Sequence, residues 1–541
     1  MSAADPLEKG APQKAMAFQN RCKDAWGERV SVTYDQRANC CRIQCKPGHL
    51  VEIGQWLLRD LGFVFATLIA DESQPGQPTL DYVFCDNADS PWAHVVPQLD
   101  ADTCAVPSLV DLPQGPSLDW HEREVEDLFG IHFEGHPRLG EFILHEDWPE
   151  GVNPMRRDFD AHAPYEHREI DPNWEPPTIV VAPGAFAMPI GPVFSDFAES
   201  AHFLLETVGE DVIRTIPRFF YKYRGIEKLA EGQAPDRALL IAERFSGTSA
   251  FAHGLAFCRA VETICNVGVP ARAETLRTIF AELERLRYHA AVITGICNST
   301  ALAVATSQAA LIEEGLLRLT CEVAQHRYLF GMLAFGGLAR DTSNHLCVHL
   351  ADRVLSIARA LHDLHAMLRF SSSFLDRLEE VGQISTEQAL AYGLVGPIAR
   401  ASGIARDCRK DFPYAAYDNV NLTVAHEQEG DGYARLRVFF HEAEQSASTI
   451  HALAQALPDG PTCIEEMILR SGVALTAVEA PAGTAFHWLR LNDDGTVARY
   501  HITPPSFANW HGFHLAAENF AFQDFPIILA SFGLWNAECD R

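Results

Sequence analysis

Short runs rich in β-branched and aromatic residues recur between about residues 20 and 135: VSVTYD at 30–35, CRIQC at 41–45 and LDYVFC at 80–85. Such runs predict strands, and a helix-like segment over about 50–61 lies among them, which together read as an α+β domain. From about 210 to 460 the apolar period lengthens. In the segment 273–296, Leu276, Ile279, Phe280, Leu283, Leu286, Ala290 and Ile293 fall on one helix face. Further helices are expected over 301–335, 345–381 and 434–457. After 470 short strands return, with Asn492-Asp493-Asp494-Gly495 as a hairpin turn. Between the two patterns stand Pro164, Pro172, Pro176, Pro177, Pro183, Pro189 and Pro192. Proline removes backbone donors and biases its predecessor away from helix, so this stretch is a linker or an extended crossing strand. The expected organisation is an α+β domain over 1–160, a linker over 161–192 and a mainly helical domain with small β elements over 193–541.

Composition narrows the function more than the fold. The 541 residues carry 43 Lys+Arg against 72 Asp+Glu, a formal charge of −29. That acidity excludes phosphate-driven nucleic-acid binding and a basic membrane anchor. No run approaches the roughly 20 apolar residues of a membrane span, and the amino terminus has no apolar core behind a basic start. The chain is therefore expected to stay in the cytoplasm while remaining free to dock on a membrane partner. Its 14 Cys are scattered and none forms a CxxC pair. Cys40, Cys41 and Cys45 lie along a strand, without the four well-spaced ligands of a structural zinc site.

Two regions concentrate polar groups. The first is Trp120-His121-Glu122-Arg123-Glu124-Val125-Glu126-Asp127-Leu128-Phe129-Gly130-Ile131, followed by Gly135-His136-Pro137 and Pro154-Met155-Arg156-Arg157-Asp158. By residue type alone it is an exposed charged helix stopped by Gly130. The second contains Arg224-Gly225-Ile226-Glu227-Lys228, Glu243-Arg244-Phe245-Ser246-Gly247-Thr248-Ser249 and Glu282-Leu283-Glu284-Arg285. Here Ser249 is a plausible N-cap for a helix reaching about Asn266. Glu282, Arg285 and His289 share one helix stripe, which by spacing alone reads as a solvated salt-bridge row.

The first motif set resembles the signature of the small peripheral subunit of respiratory complex I. The second resembles the large subunit of formate-hydrogenlyase-type, group 4 membrane-bound [NiFe] hydrogenases and the matching complex I subunit. That likeness continues through Val395-Gly396-Pro397, Arg400-Ala401-Ser402-Gly403, Glu479-Ala480-Pro481 and Asp524-Phe525-Pro526. It implies a complex I C-subunit-like domain fused to a hydrogenase-large-subunit or D-subunit-like domain. It further implies an iron–sulfur small subunit and antiporter-like membrane subunits as partners, and a peripheral place on the cytoplasmic face of the membrane.

The departures from that resemblance fall on functional positions. The two CxxC pairs that would hold nickel and iron align with Ser246 and Ser249, and with Trp535 and Glu538. The expectation is therefore no metal and no directly bound cofactor. The quinone-contacting histidine and tyrosine of the complex I type align with Phe194 and Pro235, so an acceptor, quinone or other, would be held differently. Glu227 aligns with the hydrogenase proton-gate glutamate. Either it has a pKa raised by an apolar core and relays protons, or it pairs with Arg224 or Lys228. His253, Glu282 and His289 complete the proton-relay candidates, with His253 equally readable as a satisfied core histidine. The leading expectation is a redox-complex large subunit passing electrons from a partner iron–sulfur cluster to quinone or another acceptor. A non-catalytic coupling or scaffold subunit is the alternative, and a true hydrogenase ranks last.

Overall fold

A computed structural model of the chain describes residues 6–36, 39–86, 90–100, 103–169, 180, 182–194 and 199–541, with side chains from residue 14 onward. Its contacts divide it into two compact units, Met1–Pro177 with Ala391–Gly393, and Thr178–Leu390 with Leu394–Arg541. Residues 170–179 and 181 of the expected linker lie outside the described residues. Further along that stretch, Ala185–Ile190 pairs with His202–Val208 as a strand of the second unit.

The first unit is built on a five-stranded sheet. Its order is Val30–Asp35, Cys40–Cys45, Trp92–Pro97, Gln77–Cys85, Val64–Gln74, with one parallel pairing, between Cys40–Cys45 and Trp92–Pro97. In Cys40–Cys45 the residues Cys41, Ile43 and Cys45 alternate inward as a pleated strand requires. Burial raises the Cys40 and Cys41 thiols to about 12 and the Cys45 thiol to about 11, away from the thiolate that binds metal.

The helix Asp119–Phe129 does end at Gly130, which takes the left-handed conformation (φ 69°). It is not the exposed charged helix its composition suggests, because Glu122, Glu124 and Asp127 are buried with Val125 and Leu128. The carboxylates of Asp127 and Glu122 accept from backbone amides of the loops. Asp127 Oδ2 accepts from the amides of Phe142, Ile143 and Leu144 at 2.9, 2.7 and 3.1 Å. Glu122 accepts from Leu109 N at 2.9 Å and Ser108 Oγ at 2.5 Å, and burial raises it to about 7.

In the second unit, long helices pack around Ala271–Ser299, which lies against Ala303–Ala324 and Gly432–Gln455. An antiparallel sheet of Gly472–Ala480, Gly483–Leu491 and Val497–Thr503 packs on the helix Ala250–Cys265. The hairpin turn falls where the sequence predicts it, with Gly495 N donating to Asn492 O at 3.0 Å. Helix starts follow local chemistry: Ser343 accepts from Leu346 N and Asp431 from Ala434 N. Ser249 holds the N-cap position before Ala250, yet its side chain makes no capping bond. The stripe of Glu282, Arg285 and His289 is fully buried, so the solvated reading does not hold.

A candidate buried proton-handling site

The turn before Ala250–Cys265 and the short helix Asn536–Cys539 bring Ser246, Ser249 and Glu538 into one buried cluster. Glu538 Oε1 accepts from Ser246 Oγ at 3.5 Å and contacts His253 Nε2 at 3.1 Å. Its Oε2 accepts from the amide of Ser506 at 3.2 Å and from the Ser506 hydroxyl. Burial pushes this carboxyl up, but His253 and Ser506 outweigh it and hold Glu538 ionised. Ser249, whose hydroxyl lacks a hydrogen bond of ordinary geometry, adds to the same effect. Trp535 does not join the cluster. It is 39% exposed.

The contacts continue inward from His253. Its Nδ1 lies 2.9 Å from His487 Nε2, and His487 Nδ1 lies 2.6 Å from the Tyr500 hydroxyl. His253, His487 and Tyr500 are all fully buried. Burial, with the neighbouring His253, holds His487 well below the usual imidazole range, while burial and Glu227 hold the Tyr500 phenol well above its own.

Glu227 stands in a second group. Its Oε1 accepts from Ile502 N at 2.9 Å and Arg541 Nε at 3.0 Å, and Oε2 accepts from Arg499 Nη2 at 3.0 Å. His501 Nδ1 approaches to 3.3 Å. The expected raised pKa is not found. Burial favours it, but His501, Arg499 and Arg541 together hold Glu227 well below the ordinary carboxylate range. Its cationic partners come from the last strand and the end of the sequence, not from Arg224 or Lys228. Arg224 instead donates to main-chain oxygens of Asp540, Phe245 and Ala537, and Lys228 pairs with Glu231.

Glu282 and His289 belong to a third group. Glu282 accepts from Arg409 Nη1 at 3.0 and 3.2 Å, Tyr417 Oη at 2.5 Å and Ser446 Oγ at 2.6 Å, with Arg285 Nε at 3.4 Å. Burial is overcome by Arg409 and Arg285, which lower Glu282 to about 2. Burial lowers His289 below the usual imidazole range, and its Nε2 meets Glu442 Oε2 at 3.0 Å. Arg400 joins Glu442 at 2.6 Å, Glu479 at 2.8 Å and Asp407 at 3.4 Å. Glu227 and Glu282 are thus clamped anions, and of the four proton-relay candidates His253 has a transferable hydrogen-bond path on both ring nitrogens.

Phe194 and Pro235 offer no polar side chain. The Phe194 ring closes over Gly191, whose left-handed backbone (φ 79°) leaves no room for a Cβ beside Phe194 Cζ and Ala201 O. Pro235 is the buried first residue of the helix Pro235–Arg244. Sequence reading missed His487, Tyr500 and Ser506, and gave no role to Arg400, Arg409, Glu442 or Glu479. A histidine on an inward strand position carries no sequence signal separating it from core packing.

The donor set does not fit a nickel–iron centre. Two hydroxyls, one hydrogen-bonded carboxylate and an indole replace the thiolates that soft metals require, and burial keeps the nearby Cys539 a thiol.

Comparisons with known proteins follow the same division. Residues 306–470 and 462–541 match the family model described as respiratory-chain NADH dehydrogenase, 49 Kd subunit. Residues 43–165 match the corresponding 30 Kd subunit, and 224–292 match nickel-dependent hydrogenase. The chain is 28% identical over 504 residues to formate hydrogenlyase subunit 5 of Escherichia coli (strain K12), across 90% of this chain and 87% of that relative. It is 28% identical over 448 residues to hydrogenase-4 component G of the same organism, across 82% and 78%. The C/D subunit of NADH-quinone oxidoreductase from Bdellovibrio bacteriovorus is 28% identical over 466 residues, across 80% and 82%.

Proposed function

We propose that this chain, in which a 30 kDa-type complex I domain is fused to a 49 kDa and hydrogenase-large-subunit-type domain, is the large subunit of a complex I-related energy-converting complex that works without a nickel–iron centre of its own. Electrons reach it from an iron–sulfur cluster in a partner small subunit and pass to quinone or another acceptor. Antiporter-like partners hold it peripherally on the cytoplasmic face of the membrane. No helix among the described residues is long and apolar enough to cross a membrane.

One observation carries this reading: Ser246, Ser249 and Glu538 converge with His253 where the resemblance would put metal ligands. The cluster keeps hydrogen-bonding and proton-accepting capacity while giving up soft-metal ligation. The clamping of Glu227 and Glu282 favours a second reading, a non-catalytic coupling subunit that retains the fold to hold its partners together. Nickel and iron content per copy of this chain, in the complex purified gently from membranes, tests the proposal. Partner-cluster iron without nickel is expected, and stoichiometric nickel would overturn it. Redox turnover in the same preparation separates the two readings. The coupling subunit predicts none that depends on His253, whereas the electron-passing subunit predicts turnover that His253→Gln impairs.

A further inference from the structure

Three buried contacts share one line: Glu538 to His253, His253 to His487, and His487 to Tyr500, at 3.1, 2.9 and 2.6 Å. The direction of their hydrogens follows from the two ends. Glu538 Oε2 already accepts a backbone amide from Ser506, and the carboxyl is ionised, so it can only accept. The hydrogen between His253 and Glu538 therefore sits on His253 Nε2.

At the other end, the phenol of Tyr500 has a single hydrogen. His487 Nδ1 is its one hydrogen-bond partner among the described residues. Turning that hydrogen elsewhere would bury an unsatisfied donor, at a cost of about 1–3 kcal/mol. Tyr500 therefore donates to His487 Nδ1. Neutral His487 then carries its hydrogen on Nε2 and donates to His253 Nδ1. Every donor and acceptor in the line is satisfied with both imidazoles neutral, and all three hydrogens point toward Glu538.

We propose that Tyr500, His487, His253 and Glu538 form one hydrogen-bonded wire, polarised toward Glu538, which fixes His253 as the Nε2–H tautomer and holds that hydrogen ready for the cluster of Ser246, Ser249 and Glu538. The proposal rests on the redox-subunit reading above. In a single relay the His253 Nε2 hydrogen moves to Glu538, the His487 Nε2 hydrogen to His253 Nδ1, and the Tyr500 hydrogen to His487 Nδ1. Both imidazoles exchange tautomers and remain neutral, and the negative charge passes from Glu538 to the Tyr500 phenolate. Burial, Glu227 and Cys258 all disfavour that phenolate, so the hydrogens return and rest on the side that points toward Glu538. Charged and titratable groups facing it are Glu227 and Cys258 beside Tyr500, Glu227, His501 and Arg541 beside His487, and Glu199, Tyr288 and Cys539 near Glu538, whose carboxylate also meets the hydroxyls of Ser246, Ser249 and Ser506.

The test is a nitrogen-15 spectrum of the imidazole groups in the full chain, with His253 and His487 assigned through His253→Gln and His487→Gln. At neutral pH both rings are expected as neutral Nε2–H tautomers. Tyr500→Phe is expected to shift the His487 Nδ1 resonance toward that of a nitrogen without a hydrogen-bond donor, leaving His253 on the same tautomer. A doubly protonated His253, a hydrogen on His487 Nδ1, or no response of His487 to Tyr500→Phe would each overturn the wire. The wild-type tautomers decide the matter even if a variant does not fold. None of these readouts depends on turnover, so failure of the wire leaves the redox-subunit reading standing, and stoichiometric nickel would remove that reading without altering the tautomers.

Discussion

Two buried polar systems lie within the second unit, and they use carboxylates in opposite ways. Around Glu538 a single carboxylate ends a line of neutral groups, each joined to the next by one hydrogen bond. Around Arg400 the carboxylates of Glu282, Asp407, Glu442 and Glu479 mesh with the guanidiniums of Arg285, Arg400 and Arg409. A one-dimensional chain of neutral hydrogen bonds can shift protons without separating charge. A mesh of paired charges cannot, because each proton moved uncovers an ion in a low-dielectric interior. The contrast explains why His253 is a candidate relay while Glu282, equally buried, is a fixed anion.

The harshest way to break the comparison is to remove the hub of the mesh. Arg400→Met would leave the Glu442 anion without its guanidinium and Glu479 without its charged donor, and uncompensated buried charge typically costs about 3–5 kcal/mol. Denaturant unfolding of the full chain is expected to show a loss of that order in the second unit. A loss below about 1 kcal/mol would mean that the mesh is hydrated and that its pairing is unimportant.

Next in size is Glu282→Gln. The wild-type carboxyl titrates at about 2 when folded, against about 4.3 unfolded, a difference worth about 3 kcal/mol. Because the folded pKa is the lower one, this stability is present above pH about 4 and disappears as pH falls toward 2. The gap between wild type and variant in thermal unfolding should therefore close on acidification. A gap that stays constant from pH 7 to pH 3 would contradict the clamped-anion assignment.

The line of neutral groups should respond more mildly. Tyr500→Phe removes one hydrogen bond and leaves His487 Nδ1 as an unsatisfied acceptor, a loss of about 1–2 kcal/mol. Equilibrium unfolding that shows a loss as large as that of Arg400→Met would mean that Tyr500 is part of a charged system after all.

The sequence made some of this legible and hid the rest for identifiable reasons. Periodicity located the helix containing Leu276 through Ile293, and turn chemistry located the hairpin at Gly495, because both signals are local. The same stripe placed Glu282, Arg285 and His289 on one face. Their burial depended on Arg409, Tyr417 and Ser446, brought in from distant segments. Aligned positions singled out Ser246, Ser249 and Glu538, which the fold brings into one buried cluster, while Trp535 lies apart from it. Glu227 was misjudged because its partners Arg499 and Arg541 are some 270 and 310 residues away in the chain. Local reading could offer only Arg224 and Lys228. His487 and Tyr500 are diagonal neighbours on paired strands, His487 lying opposite Ile502 and Tyr500 opposite Leu489, an arrangement set by register and not visible in either strand alone.

The finest distinction lies inside the mesh itself, between Glu442 and Glu479. The four carboxylates outnumber the three guanidiniums by one, so the mesh is expected to hold one proton at neutral pH in place of a net buried charge. Glu442 has Arg400 at 2.6 Å and His289 at 3.0 Å and is held well below the ordinary range despite burial. Glu479 shares Arg400 Nη1 with Asp407, and its other oxygen meets only the neutral donors Cys408 N and Thr484 Oγ1. Burial and the neighbouring Asp407 raise it, so of the two Glu479 is where that proton is expected. Glu479→Gln, which mimics the neutral acid at the price of the bond from Cys408 N, should then cost only about 1 kcal/mol. The pH dependence runs opposite to that of Glu282. A raised folded pKa gives stability that is complete below the unfolded value and fades as pH rises through the folded one. The small gap between wild type and Glu479→Gln should accordingly narrow toward alkaline pH, where that of Glu282→Gln stays open. An infrared difference spectrum at neutral pH should show a protonated-carboxyl band in the wild type that Glu479→Gln removes. If Glu442→Gln removes the band instead, the proton has been assigned to the wrong member of the mesh, and Arg400 binds its two glutamates in the reverse order of strength.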